Sequence, residues 1–324
     1  MNLKGSKTNS GWKGRIFFGK GFSRTRFSTT ILRMRRHCSV PLLLLSFLSC
    51  AWVALPFWSG AQEAPPASAA RILLLPRRLV SGDRSTLAVL DFGGRLTPGV
   101  TVQFSNGDRV KTDSTGRALY VAPLTLGDLY ASIDGRPGKV RTAVVSEEQA
   151  AAEGIEVTLA PRLASLSDWF TIYGGGFCGD ADKNAVVVGG EKALVLASSP
   201  LSLMVLPPAE LSPGPAKVEV SCGNQEVGNF SATFLSLELE ADSSPLAPGQ
   251  QRTMVVRVRG TTGRVPMEAR NLAPEVAQLS GGNPVKLSTS GGAENIAKFA
   301  LIGRSHGKIL ISIRLRPTYA RPRH

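Results

Sequence analysis

From Arg71 onward the chain is a succession of short apolar runs, cut by glycine, proline, asparagine or aspartate roughly every 8–12 residues. That spacing leaves little room for helices and constrains the fold to packed, short antiparallel strands. Several runs alternate strictly. Val100, Val102 and Phe104 alternate with Thr101 and Gln103, and Met254, Val256 and Val258 alternate with Val255 and Arg257. Near the end, Ile309, Ile311, Ile313 and Leu315 alternate with Leu310, Ser312, Arg314 and Arg316. A period of two with one polar-leaning face is the pattern of a half-buried strand. The runs group into three units, residues 71–145, 155–235 and 236–317, each long enough for one small sandwich core. Residues 318–324 read as a frayed tail, and the arginines Arg314, Arg316, Arg321 and Arg323 as a solvated strand face continuing into it.

One segment departs from this pattern. Ser146-Glu147-Glu148-Gln149 has the form of a capping box, three alanines follow, and Gly154 stands where a helix would end. Residues 146–154 are therefore expected to form a short connector helix. Residues 62–70 (QEAPPASAA) lack periodicity and read as a Pro/Ala linker.

The N-terminal quarter sets the compartment. Met34-Arg35-Arg36-His37 is basic, Val40 to Trp58 is almost entirely apolar, and Ser59-Gly60-Ala61 supplies small residues before Gln62. Residues 34–61 thus predict a secretory signal peptide, with cleavage after Ala61. A leader counted from Met1 would be too long, so translation is expected to start at Met34, with residues 1–33 a basic extension that is not translated. An uncleaved anchor is the alternative, because the apolar run approaches the length of a bilayer span. The residues before Cys50 depart from a lipoprotein box. The formal charge of +14 falls to +4 once residues 1–61 are set aside. That small remainder argues against a nucleic-acid partner. Membrane contact is expected only through the N-terminal segment, if it is uncleaved. With Cys38 and Cys50 in the leader, Cys178 and Cys222 remain. In an exported chain such a pair predicts a disulfide, the alternative being two buried thiols.

The second unit carries the clearest likeness. It reads Trp169-Phe170-Thr171-Ile172-Tyr173-Gly174-Gly175-Gly176-Phe177, then Val186-Val187-Val188-Gly189-Gly190, Ser198-Ser199-Pro200, Leu206-Pro207-Pro208 and Gly214-Pro215-Ala216-Lys217-Val218-Glu219-Val220. This resembles the IPT/TIG domain, an immunoglobulin-like sandwich found in cell-surface receptors, transcription factors and accessory modules of polysaccharide enzymes. The export signal disfavours the transcription-factor branch. The first unit resembles, more loosely, an invasin/intimin-type bacterial Ig-like domain, through Leu87-Ala88-Val89-Leu90-Asp91, Pro98-Gly99-Val100-Thr101-Val102 and the turn Thr112-Asp113-Ser114-Thr115-Gly116-Arg117-Ala118. The transthyretin-like regulatory domain of carboxypeptidases has a similar turn. The third unit opens Pro245-Leu246-Ala247-Pro248-Gly249-Gln250, a common start for an Ig-like domain. The expected fold class is all-β, tandem immunoglobulin-like β-sandwich domains after an N-terminal signal segment.

Candidate chemistry is sparse. His306 lies in an expected hairpin turn, Arg304-Ser305-His306-Gly307-Lys308, without a nucleophile motif. Asp180-Ala181-Asp182-Lys183-Asn184 opens like a calcium loop, and Glu191 falls at the twelfth position. The sixth residue, however, is Ala185 instead of glycine, and Val186–Val188 reads as a strand. Glu238 and Glu240 share a strand face and read as solvated. Gly174–Gly176 lacks the Lys-Ser/Thr of a phosphate loop. Asn229-Phe230-Ser231 matches a glycosylation sequon by pattern. Trp169, beside Phe170, is expected in the core, which argues against a dedicated sugar-binding face and leaves Tyr173 or Tyr319 as the remaining aromatic candidates. No catalytic, cofactor or metal residue is assigned. The expected function is an exported, non-enzymatic cell-envelope or extracellular protein (periplasmic, cell-surface or secreted), acting in adhesion or as a structural spacer and meeting a protein or glycan ligand. The loops Gly179–Ala185 and Gly303–Lys308 are the expected contact points. The alternative is an accessory polysaccharide-binding module or subunit of an extracellular enzyme.

Overall fold

A computed structural model describes residues 31–32, 71–91, 93–240 and 244–322. The predicted signal peptide 34–61, the linker 62–70 and Arg323 lie outside the described residues. Within the basic extension, Ile31–Leu32 pairs antiparallel with Leu310 and Ile309.

The architecture is all-β. Two sheets face each other in each of three places, and each pair encloses its own apolar core. In the first unit, Arg71–Leu74, Arg84–Asp91 and Arg117–Val121 form one sheet. It packs on a second sheet in which Val140–Val145, Gly127–Ile133 and Thr101–Phe104 are neighbours. Leu87, Val89, Phe104 and Tyr120 meet between them, with Phe104 and Tyr120 stacked at 3.9 Å. The Thr112–Ala118 turn has the anticipated geometry. Asp113 Oδ1 accepts from Thr115 N at 2.7 Å and from Thr115 Oγ1 at 2.6 Å. The Thr115 hydroxyl, with backbone N–H groups, holds the Asp113 carboxyl below its ordinary range despite partial desolvation. Gly116 takes φ +79°, and an added Cβ would stand 2.5 Å from Thr97 N, so only glycine fits.

The second unit sets Leu194–Ser199, Ser202–Leu206, Phe170–Gly174 and Val157–Pro161 against Asn184–Val188, Gly214–Cys222 and Gln225–Glu240. Gly189-Gly190 makes a two-residue hairpin, pairing Val188 with Glu191. The connector is a helix over Glu147–Ala151. Ser146 Oγ accepts from Gln149 N, and Gln149 Oε1 accepts from Ser146 N, completing the capping box. The third unit sets Gln251–Arg259 and Ile296–Gly303 against Pro266–Asn271 and Ile309–Leu315.

The units are not beads on a string. Gln225–Glu240 is one strand of 16 residues, pairing with Gly214–Cys222 and then with Gln251–Arg259. Strand alternation sends Phe234 into the second core and Leu235 into the third. The first and second units are joined by a fourth apolar cluster, with Leu74, Ala88 and Leu90 packed on Leu196, Ala197 and Met204. Arg84–Asp91 is therefore buried on both faces, odd positions inward and even positions toward the neighbouring unit. The C-terminus corrects an expectation: Tyr319–Ala320 is not frayed but pairs antiparallel with Pro161 and Ala160, returning the chain from the third unit to the edge of the second.

Candidate functional site

Where the three units meet there is a cleft of about 420 Å³. The first unit contributes Arg77; the second contributes Asp168, Trp169, Thr171 and Tyr173; the third and its return strand contribute Glu268, Arg314, Arg316 and Tyr319. Alternation explains the second unit's share. In Phe170–Gly174, Phe170 and Ile172 enter the sandwich core. Trp169, Thr171 and Tyr173 have the opposite parity and line the cleft. The expectation that Trp169 is a core residue is thus corrected. Its ring is half-buried, and it packs at the margin of the cluster between the first two units.

The side chains here are cross-braced. The Arg314 guanidinium lies 4.8 Å over the Trp169 ring, and its Nε is 3.6 Å from Asp168 Oδ2. This also corrects the reading of Arg314 as a solvated residue. Strand Ile309–Leu315 puts its isoleucines at 309, 311 and 313 inward, so Arg314 points outward, but the outward side faces the second unit. Asp168 Oδ1 accepts from the Trp169 N–H at 2.9 Å. The Tyr173 and Tyr319 rings meet edge to face at 5.4 Å. Burial is the main cause that pushes the pKa of Tyr319 up to about 12, so it stays a neutral phenol.

Burial pushes the Asp168 carboxyl above its ordinary range, and Arg314 and the Trp169 N–H recover only part of the lost solvation. A carboxyl raised in the folded state takes up its proton before the unfolded chain does as pH falls. Its charge costs stability above the folded pKa, and the cost is relieved as pH drops through that value toward the unfolded one. Asp168→Asn is expected to be at least as stable as wild type at pH 7. Wild type is expected to gain on the variant as pH falls toward about 4. Thermal melts at the two pH values check this; a gap that widens in the variant's favour on acidification contradicts it.

The other singled-out residues have different surroundings. Cys178 and Cys222 are joined by a disulfide. The Gly179–Ala185 loop, expected to present itself to a partner, is docked on the first unit. Thr86 Oγ1 donates to Gly179 O and accepts from Ala181 N, both at 2.9 Å, and Ser198 Oγ donates to Gly179 O at 2.7 Å. Asp182 pairs with the largely buried Arg117 at 2.7 Å. Asp180 Oδ1 accepts from Asp182 N, and Asn184 bonds the backbone of Cys178 and Asp180, so these side chains are committed locally. Glu191 lies beyond the next hairpin, on the exposed strand Glu191–Lys192. Among the described residues no group of three or more His, Cys, Asp and Glu side chains could hold a metal ion. His306 is exposed in its loop, whose Ser305 hydroxyl donates to Glu275 O. Glu238 and Glu240 pair across strands with Arg259 and Arg257. Gly174 and Gly175 lie against the backbone of Gly154–Val157, and Asn229 is exposed. No helix among the described residues is long and apolar enough to cross a membrane.

No protein-family model and no curated protein sequence matches the chain. Among solved structures it is similar to SGBP-B of the Bacteroides ovatus mixed-linkage glucan utilization locus, in complex with a mixed-linkage heptasaccharide. That match has 14% identity over 74% of this chain and 71% of that one, with a TM-score of 0.30. It is also similar to Sidekick-1 immunoglobulin domains 1–4, with 8% identity over 73% and 76% of the two chains and a TM-score of 0.25. The plexin A4 extracellular region, domains 1 to 8, matches 79% of this chain and 33% of its own length at 9% identity, with a TM-score of 0.28. At these values the fold assignment rests on the strands and their pairing.

Proposed function

We propose that the chain is an exported, non-enzymatic binding protein of the cell envelope or extracellular space, and that its ligand, a protein or a glycan, sits in the cleft between the units. The observation that carries this reading is the concentration of Trp169, Tyr173 and Tyr319 with charged side chains in one concave site. Export is supported by the signal-like pattern of residues 34–61. The continuous strand Gln225–Glu240 and the packed first junction support a second role, since an array with stiff joints holds the cleft at a set distance from the tether.

The test is cosedimentation of the purified protein with envelope fragments and extracellular polymer of the producing cells. Trp169→Ala, which removes a lining ring and the platform under Arg314, should lower the bound fraction about tenfold, with Tyr319→Phe as a variant that keeps the ring. The bound material should be recovered with unchanged mass. Undiminished binding by Trp169→Ala contradicts the cleft reading, and cleaved material contradicts the non-enzymatic one.

A further inference from the structure

Only five tryptophan and tyrosine residues follow position 70, and three of them line this cleft. Aromatic surface is scarce in this chain and is concentrated where the units meet. The Tyr173–Tyr319 corner is preformed, because the two rings already meet edge to face at 5.4 Å. It needs no reordering to receive a ligand, which lowers the cost of binding. Arg314 is committed to Asp168 and to the Trp169 face. Arg77 and Arg316 are exposed at the same cleft, one from the first unit and one from the third. Neither forms an ion pair with a carboxylate among the described residues. Glu268 is the one other carboxylate in the lining, against three guanidiniums.

A peptide fits this site less well than a sugar. The natural way for an extended peptide to gain affinity is to add to a free strand edge. Here the edge of Val157–Pro161 is already taken by Tyr319–Ala320. The lining sets aromatic and charged side chains beside aliphatic ones such as Leu163, Met204 and Leu315. Sugar rings instead offer C–H faces to aromatic rings and hydroxyls to polar groups, and a carboxylate on such a ring suits a guanidinium fork.

We infer that the cleft binds an acidic oligosaccharide, a glycan carrying uronic-acid carboxylates, with its ring against the aromatic corner and its carboxylate held by Arg77 and Arg316. The inference rests on the cleft being the binding site and adds the ligand class. All three units contribute to the site, so binding also depends on their docking.

The test is calorimetric titration of the full chain with trigalacturonate, with cellotriose as the neutral counterpart and triglutamate as the acidic peptide. Trigalacturonate should bind, and its affinity should fall as salt is raised. Arg77→Ala/Arg316→Ala should weaken it about tenfold or more at an unchanged melting temperature, since both side chains are exposed. Arg77→Lys/Arg316→Lys should recover only part, because the ammonium cannot form the bidentate pair. Equal binding of cellotriose, still lost in Trp169→Ala, overturns the acidic assignment and leaves the cleft as the site. Triglutamate binding as tightly as trigalacturonate overturns the glycan assignment. If no saccharide binds, the inference fails, and the envelope cosedimentation decides separately whether the cleft reading stands.

Discussion

Gly179→Ala is expected to break the joint between the first and second units. An added Cβ at this position would stand 1.8 Å from Arg84 O and 2.6 Å from Arg84 C. The obstruction is backbone, so no rotamer change relieves it; either strand Arg84–Asp91 or the Gly179–Ala185 loop must move. Movement there strips Thr86 and Ser198 of their bonds to Gly179 O and withdraws Asp182 from Arg117. Arg117 also donates to Val195 O at 3.3 Å and is largely buried, so losing its partner leaves a cation in a poor environment. Overpacking of this severity costs about 3 kcal/mol. Calorimetry should show the first unit melting earlier than the other two. Small-angle scattering should show a larger maximum dimension as that unit swings away. A variant with the melting profile and dimension of wild type would mean that the loop is not seated on Arg84 in solution.

Cys178→Ser/Cys222→Ser is expected to produce the second large loss. The bridge closes a separation of 44 residues, for which chain entropy alone gives about 4 kcal/mol. In a unit of this size that corresponds to a melting temperature lowered by roughly 15–30 °C. Reduced wild type should match the variant, and oxidised wild type should not. The bridge also ties the start of the docked loop to strand Gly214–Cys222, where Asn184 sits opposite Cys222 in register. Asn184 accepts from Cys178 N and donates to Cys178 O, so loop and bridge form one assembly. The two sets of substitutions should therefore be less than additive in the combined variant. Full additivity would separate the disulfide from the docking of the loop.

Much of the fold was legible from local pattern. Strict alternation in Met254–Val258 and Ile309–Leu315 marks half-buried strands, and both are strands with alternate side chains in the third core. The capping box at Ser146 and the glycine of the Asp113 turn are short-range devices, so they can be read without knowledge of the rest. The contacts between units left a fainter signal. Leu87–Leu90 and Leu194–Ala197 are unbroken apolar runs, the mark of strands covered on both faces, and they meet in the cluster between the first two units. Read as ordinary sandwich strands, they hide that junction. Trp169 was misplaced for a related reason. Adjacency to Phe170 suggests a shared core, whereas strand geometry sends neighbours to opposite faces.

The chain's local chemistry thus determined that it would build β-sandwiches and where its strands and turns would fall. Those properties depend on side-chain period and on residues a few positions apart. Tertiary structure alone decided that the Gly179–Ala185 loop would be a joint instead of a contact loop, that Arg314 would cover Trp169, and that Tyr319 would return to Tyr173. Each of these joins residues far apart in the chain through the outer faces of separate sandwiches. An outward polar or aromatic side chain has the same local pattern whether water or another unit lies beyond it, so only the packing of the units could distinguish the two.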